Sequence, residues 1–144
     1  MDTKEPSVAD AYERAQVALM EDLHKLEAAT EPSAGQNLPE LRALLDATQT
    51  YLAEHFRFEE ESGYMALIEQ EAPRLEHAIQ RLAEEHVVLA RALAALIARA
   101  QTLTSVDDVF RQEVRHWVRH VCEHELREND LVEDALLLDT GVSD

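Results

Sequence analysis

The sequence predicts an all-α protein, an up-down-up-down antiparallel four-helix bundle. Three observations carry this expectation. Ala, Leu, Glu and Arg dominate the 144 residues, and these are strong helix formers. Val and Ile are few and aromatic residues are only 5%, which leaves little material for a sheet. Apolar residues recur at alternating steps of four and three, the period of a helix with one buried face. The length suits one domain spanning 1–144, with its core at about 7–138. An apolar fraction of 46%, with only three glycines and four prolines, argues against disorder. A chain of this size can bury a core without needing a disulfide or a metal simply to fold.

The first helix is expected from about Ser7 to Ala29, with Ser7 as N-cap. The segment from Glu31 to Leu38 carries Pro32, Ser33, Gly35 and Asn37 and reads as a loop. Pro39 suits the first turn of a second helix, which extends to about Gln70 with Gly63 as a weak point or kink. Pro73 opens the third helix, which continues to about Leu103. Ser105 is expected to cap the fourth, with Asp107 and Asp108 where the helix dipole favours negative charge. That helix fades near Leu138, and Thr140 to Asp144 is expected to fray. Short connections make neighbouring helices antiparallel. A longer helical hairpin that dimerises is the alternative, and the three breaks make the single-chain bundle more economical.

Charge and the termini narrow the partners. A formal net charge of −17 repels phosphate backbones, so no nucleic acid is expected, and it disfavours anionic membranes. A solvated acidic surface accounts for most of it. No apolar run approaches the roughly 18 residues of a membrane helix. The opening MDTKEPSVAD has no apolar signal-peptide core. Cys122 is the lone cysteine, so no internal disulfide forms. The expectation is a cytoplasmic monomer or homodimer.

Polar residues interrupt the apolar seams in an ordered way. The third helix runs Leu75, Ile79, Leu82, His86, Leu89, Leu93 and Leu96, with a histidine in mid-seam. The second runs Leu41, Leu45, Thr48, Leu52, His55 and Glu59; the fourth runs Phe110, Val114, Trp117, Val121, His124, Glu128 and Leu131. In both, a His and a Glu one turn apart replace consecutive core residues and point the same way. A buried carboxylate is costly unless paired or bound to a cation, and these seams carry no Lys or Arg to compensate. Imidazole and carboxylate together suit iron, manganese and zinc. The main apolar arc of the first helix is Tyr12, Leu19, Leu23 and Leu26; His24 lies at its edge, in line with Val17, Met20 and Ala28. The two halves echo each other: His24 precedes His55 and Glu59, and His86 precedes His124 and Glu128.

The segments EDLHKLE, LAEHFRFEEE, LAEEHVVLARAL and VCEHELREND, in this order from about Tyr12 to Leu136, resemble the hemerythrin-like (HHE cation-binding) domain. The resemblance implies a non-haem site of two oxo- or hydroxo-bridged iron ions, with manganese or zinc as substitutes. It places His24 and His55 on one iron, His86 and His124 on the other, and Glu59 and Glu128 as bridges. It implies a small ligand, dioxygen, peroxide or nitric oxide. Oxygen-carrying members use a fifth histidine where this chain has Leu82, and end in an Asp where it has Asn129, offering Glu128 instead. Those departures shift the expectation from reversible oxygen carriage toward redox chemistry, with an iron- or oxygen-sensing module without turnover as the alternative.

Tyr51 and His120, each one turn before a ligand histidine, are candidate participants. The plainer readings are a core tyrosine and an interface or surface histidine. His116 and His77 read as surface; Glu60, Glu61, Glu85, Glu123 and Glu125 flank the ligands, and most of them read as plain surface charge. Cys122 reads as packing or as a redox thiol. Phe56, Phe58, Trp117, Met20 and Leu89 are expected to wall the site and keep it dry.

Overall fold

The computed structural model describes residues 8–32, 37–61 and 64–139. They form five helices: α1 (Val8–Ala29), α2 (Leu38–Glu61), α3 (Tyr64–Glu71), α4 (Glu76–Thr102) and α5 (Asp108–Asp139), with a 3-10 turn at Pro73–Leu75. No strand occurs among the described residues, and none of their helices is long and apolar enough to cross a membrane. The expectations placed on Ser7, Ser33, Gly35, Gly63 and Thr140 to Asp144 fall outside the described residues.

Three local departures from expectation have physical causes. The helix expected from Pro39 to Gln70 is divided into α2 and α3. At that place α3 buries Ile68 to 2% exposure, together with Ala72, against Leu82 and Leu131. Pro73 opens a 3-10 turn rather than α4 itself. The residue before a proline is driven out of helical geometry, and Ala72 sits at φ −137° and ψ 74°. At the start of α5 the cap is Asp107 rather than Ser105: its Oδ1 accepts the Phe110 backbone N–H at 2.7 Å. Asp caps as well as Ser, and the buried Val106 anchors the chain just before it. Asn37 does the same for α2, accepting from the Glu40 N–H at 3.0 Å.

α1 packs on α2 and α5, and α4 packs on the same two helices. Polar ties join them. The Arg42 guanidinium donates to the carbonyls of Ala100 and Leu103 at 2.7 and 2.9 Å, satisfying the end of α4. Trp117 Nε1 donates to the Leu89 carbonyl at 3.0 Å, and Arg74 makes a two-pronged pair with Asp134.

The apolar interior forms two clusters. The larger includes Leu19, Leu23, Leu45, Leu52, Leu93, Phe110, Val114 and Val121. The smaller holds Tyr12, Ile68, Ala72, Leu82, Leu131, Val132 and Ala135. Burying each large aliphatic side chain is worth about 1.5–3 kcal/mol, so both clusters stabilise the packing. Along α4 and α5 the polar residues His86, His124 and Glu128 fall between the contributions to one cluster and to the other. The polar layer is therefore held from both ends.

Candidate metal centre

The seams visible in the sequence are the buried faces. On α2 they are Leu41, Leu45, Thr48, Leu52, His55 and Glu59. On α4, Leu82, His86, Leu89, Leu93 and Leu96 are buried, and on α5 every residue from Phe110 to Leu131 in the expected seam is buried. His55, Glu59, His124 and Glu128 are at most 1% exposed and His86 is 6% exposed. Helical spacing puts His55 with Glu59, and His124 with Glu128, on one face of its helix, because residues four apart share a face.

Their ligand atoms fall into two groups. His55, Glu59, Glu125 and Glu128 form one; His86, His124 and Glu128 form the other; within each, one atom per residue lies within 4.8 Å of the rest. Glu59 Oε1 is 2.6 Å from His55 Nε2, while its Oε2 is 3.4 Å from His86 Nε2. Glu128 Oε1 is 3.5 Å from His55 Nε2, and its Oε2 is 3.4 Å from His124 Nε2 and 3.7 Å from His86 Nε2. Each of these two carboxylates thus turns one oxygen to each group.

The donor set fits a cation. Glu59 Oε1 and Oε2, His86 Nε2, His124 Nε2, Glu125 Oε1 and Glu128 Oε2 are buried without a hydrogen-bond partner. The short approach of Glu59 Oε1 to His55 Nε2 is an ion-pair contact whose angles do not make a hydrogen bond. Each buried polar atom left this way costs about 1–3 kcal/mol. A positive ion where the atoms converge removes that cost, and mixed imidazole and carboxylate donors suit iron, manganese or zinc.

In the metal-free chain, protons take that role. Burial alone would lower the pKa of His55, but its close contacts with the Glu125, Glu128 and Glu59 carboxylates prevail and hold it at about 12. His86 is likewise lowered by burial and raised more by Glu128 and Glu59, to about 9. His124 is raised by Glu128 and Glu85 against the same opposition from burial. The two shared carboxylates diverge. Burial raises Glu59, whereas for Glu128 burial is outweighed by the nearby imidazoles of His124, His55 and His86, which hold it well below the usual carboxylate range.

Outer contacts orient the ligands. Tyr12 donates its hydroxyl to Glu128 Oε1 at 2.5 Å within the buried layer. Burial, and then the Glu128 charge, push that phenol far above its ordinary pKa. Glu85 Oε1 lies 2.6 Å from His124 Nδ1 and also accepts from Arg127 at 2.8 Å. That contact commits Nδ1 outward and leaves Nε2 facing the cluster, the usual arrangement for a ligand imidazole. Phe56 stacks on the His86 ring, centroids 3.7 Å apart and planes within 10°, and meets His124 edge-on.

The structure brings together five of the six expected residues: His55, Glu59, His86, His124 and Glu128. It does not bring His24 there. His24 is exposed on α1, in line with Val17, which is 51% exposed. Glu125 stands in the first group instead, 2% exposed, with Oε1 and Oε2 at 3.0 and 3.2 Å from His55 Nε2. Of the flanking glutamates expected to be mostly surface charge, Glu125 is the buried exception. The sequence held a signal for it: Val118, Glu125 and Val132 are seven residues apart and all buried, a second stripe on a helix that packs against both α1 and α4. Glu85 is also more than surface charge. Tyr51 is 41% exposed rather than a core tyrosine, and His120, His116 and His77 are exposed. Of the expected wall, Phe56, Leu89 and Trp117 are buried, while Met20 and Phe58 are partly so. Cys122 is half-buried, and burial raises its thiol pKa.

The family model of the hemerythrin HHE cation binding domain matches residues 8–136. No curated protein and no solved structure matches the chain.

Proposed function

Because the chain belongs to the hemerythrin HHE cation-binding family, we propose that its buried layer holds two iron ions and carries out redox chemistry on dioxygen, peroxide or nitric oxide. The observation that carries this reading is the pair of carboxylates, Glu59 and Glu128, each with one oxygen toward His55 and the other toward His86. His55 and Glu125 would then hold one ion, His86 and His124 the other, and Glu59 and Glu128 would be available to both. Two divalent ions bring four positive charges against the three carboxylates of the layer, which offsets the burial of charge that the apolar clusters alone leave uncompensated. Manganese or zinc fits the same donors.

The bound pair would supply redox equivalents and Lewis acidity to the small ligand. The chain's own residues prepare for this. Tyr12 donates its hydroxyl to Glu128 Oε1 and leaves that oxygen a second lone pair for an ion. Glu85 fixes the His124 ring. Phe56 covers His86 and helps exclude water. Ties such as Arg42 to the end of α4 and Arg74 to Asp134 pair residues in opposite sequence order, which supports an up-down-up-down arrangement of α1, α2, α4 and α5 as one domain. Oxidisable iron and a lone cysteine fit a reducing, cytoplasmic setting.

Anaerobic loading with Fe(II), followed by elemental analysis and absorption spectroscopy in air or peroxide, tests the proposal. Two irons per chain and a yellow-brown charge-transfer spectrum are expected, with consumption of peroxide or nitric oxide. A protein that holds zinc and stays colourless under all these conditions would sink it. Iron retained without any consumption would favour the sensing alternative.

A further inference from the structure

We propose that His116 and His120 on α5, with Glu123 beyond them, form a surface capture site for a divalent transition-metal ion bound for the buried cluster. The capture role rests on reading that cluster as a metal centre. His116 and His120 are exposed and four residues apart, so both imidazoles leave the same face of the helix. Their ring centroids lie 4.3 Å apart with planes tilted by 54°, so the rings converge without stacking. Two nitrogens sharing one ion at about 2.0–2.1 Å each stand no more than about 4 Å apart, a separation that small side-chain rotations of exposed rings reach. Histidines at this spacing on one helix face are a recurring pair for zinc-type ions. Glu123 follows His120 by three residues, within reach on the same side, and offers a carboxylate oxygen.

The position of the pair gives it a use. His120 and Glu123 line a groove of about 240 Å³ between α4 and α5, and Glu85 and His124 stand in its wall. His124 belongs to both sides: Nδ1 meets Glu85, and Nε2 lies 3.4 Å from Glu128 Oε2 in the cluster. An ion on His120 is therefore one helical turn from a ligand of the buried layer. The net charge of −17 concentrates cations around the whole surface, and the imidazole pair selects transition ions over calcium or magnesium.

Equilibrium dialysis of the full chain against Zn(II), and the rate at which metal-free protein takes up Zn(II) in stopped flow, test the proposal in wild type, His116→Ala and His120→Ala. Both positions are exposed, and unchanged circular dichroism is expected. Each variant should bind one zinc ion fewer per chain and fill the buried cluster severalfold more slowly, to the same final occupancy. Equal zinc counts in wild type and variants overturn the site, and equal uptake rates overturn its capture role. A Glu59→Gln, Glu128→Gln double variant separates this proposal from the reading of the cluster: it should lose the buried ions and keep the surface one. If wild type binds no buried ion, the cluster reading fails and the capture role falls with it.

Discussion

The two halves of the buried layer share Glu59 and Glu128 but differ in everything else. The first half pairs His55 with a carboxylate, Glu125, under the hydroxyl of Tyr12 and deep in the packing. The second pairs two imidazoles, His86 and His124, beside the Glu85 and Arg127 ion pair at a groove. One half is oxygen-rich, with Glu125 in the wall of a groove between α1 and α5; the other is nitrogen-rich, with His124 in the wall of a groove between α4 and α5. Harder oxygen donors favour the harder, more oxidised ion, so two ions bound as proposed would be held with unequal affinity and potential.

The largest effect should come from removing what the halves share. Glu128→Ala leaves three imidazoles without their common carboxylate. Losing one partner of a buried charge pair costs about 3–5 kcal/mol, so we expect a strong fall in melting temperature and loss of both ions by elemental analysis. Retention of two ions would dissolve the notion of a shared ligand. Chelation comes next. Metal present at a thousandfold its dissociation constant stabilises a fold by about 4 kcal/mol, so thermal melts with and without metal should separate clearly, and their coincidence would contradict the centre.

A smaller, one-sided effect should follow Glu125→Ala: the His55 half loses its ion while the His86 half keeps one. His24→Ala should leave both occupancies unchanged, and a lost ion in that variant would restore His24 as a ligand. Glu85→Gln acts on the opposite half. Outer partners of ligand histidines are typically worth about 10–100-fold in metal affinity, and competition with a chelator should show that loss for one ion only.

The smallest effect is the pH slope. In metal-free protein the His86 pKa stands at about 9, above its ordinary 6.5. A raised imidazole stabilises the fold fully below 6.5 and loses that contribution as pH rises through about 9. Denaturant melts of metal-free protein should weaken across that window, and metal-loaded protein should not, because the ion replaces the proton. A flat profile without metal would show that His86 is already neutral.

Much of this site is legible in the sequence. The seams of α2, α4 and α5 revealed His55, Glu59, His86, His124 and Glu128, because an amphipathic helix displays its buried face as a period. α1 was harder to read. Tyr12, Leu19, Leu23 and Leu26 mark its buried arc, and His24 sits just beyond the edge, where the period cannot decide. Glu125 was hidden for the converse reason. The period of α5 displays one seam, yet the helix buries a second stripe through Val118, Glu125 and Val132.

By itself, then, the sequence determined that the chain is helical, where most breaks fall, and that at least two carboxylates lie buried beside histidines in need of a cation. These follow from local propensity and from a period carried by single helices. Only the tertiary structure decided that Glu125 and not His24 stands beside His55, that Tyr12 reaches Glu128, that Glu85 holds His124, and that Tyr64–Glu71 forms α3, packed against α2 and α5. Each depends on how far one helix is rotated against its neighbours, and the width of a buried face is set by how many partners pack on it.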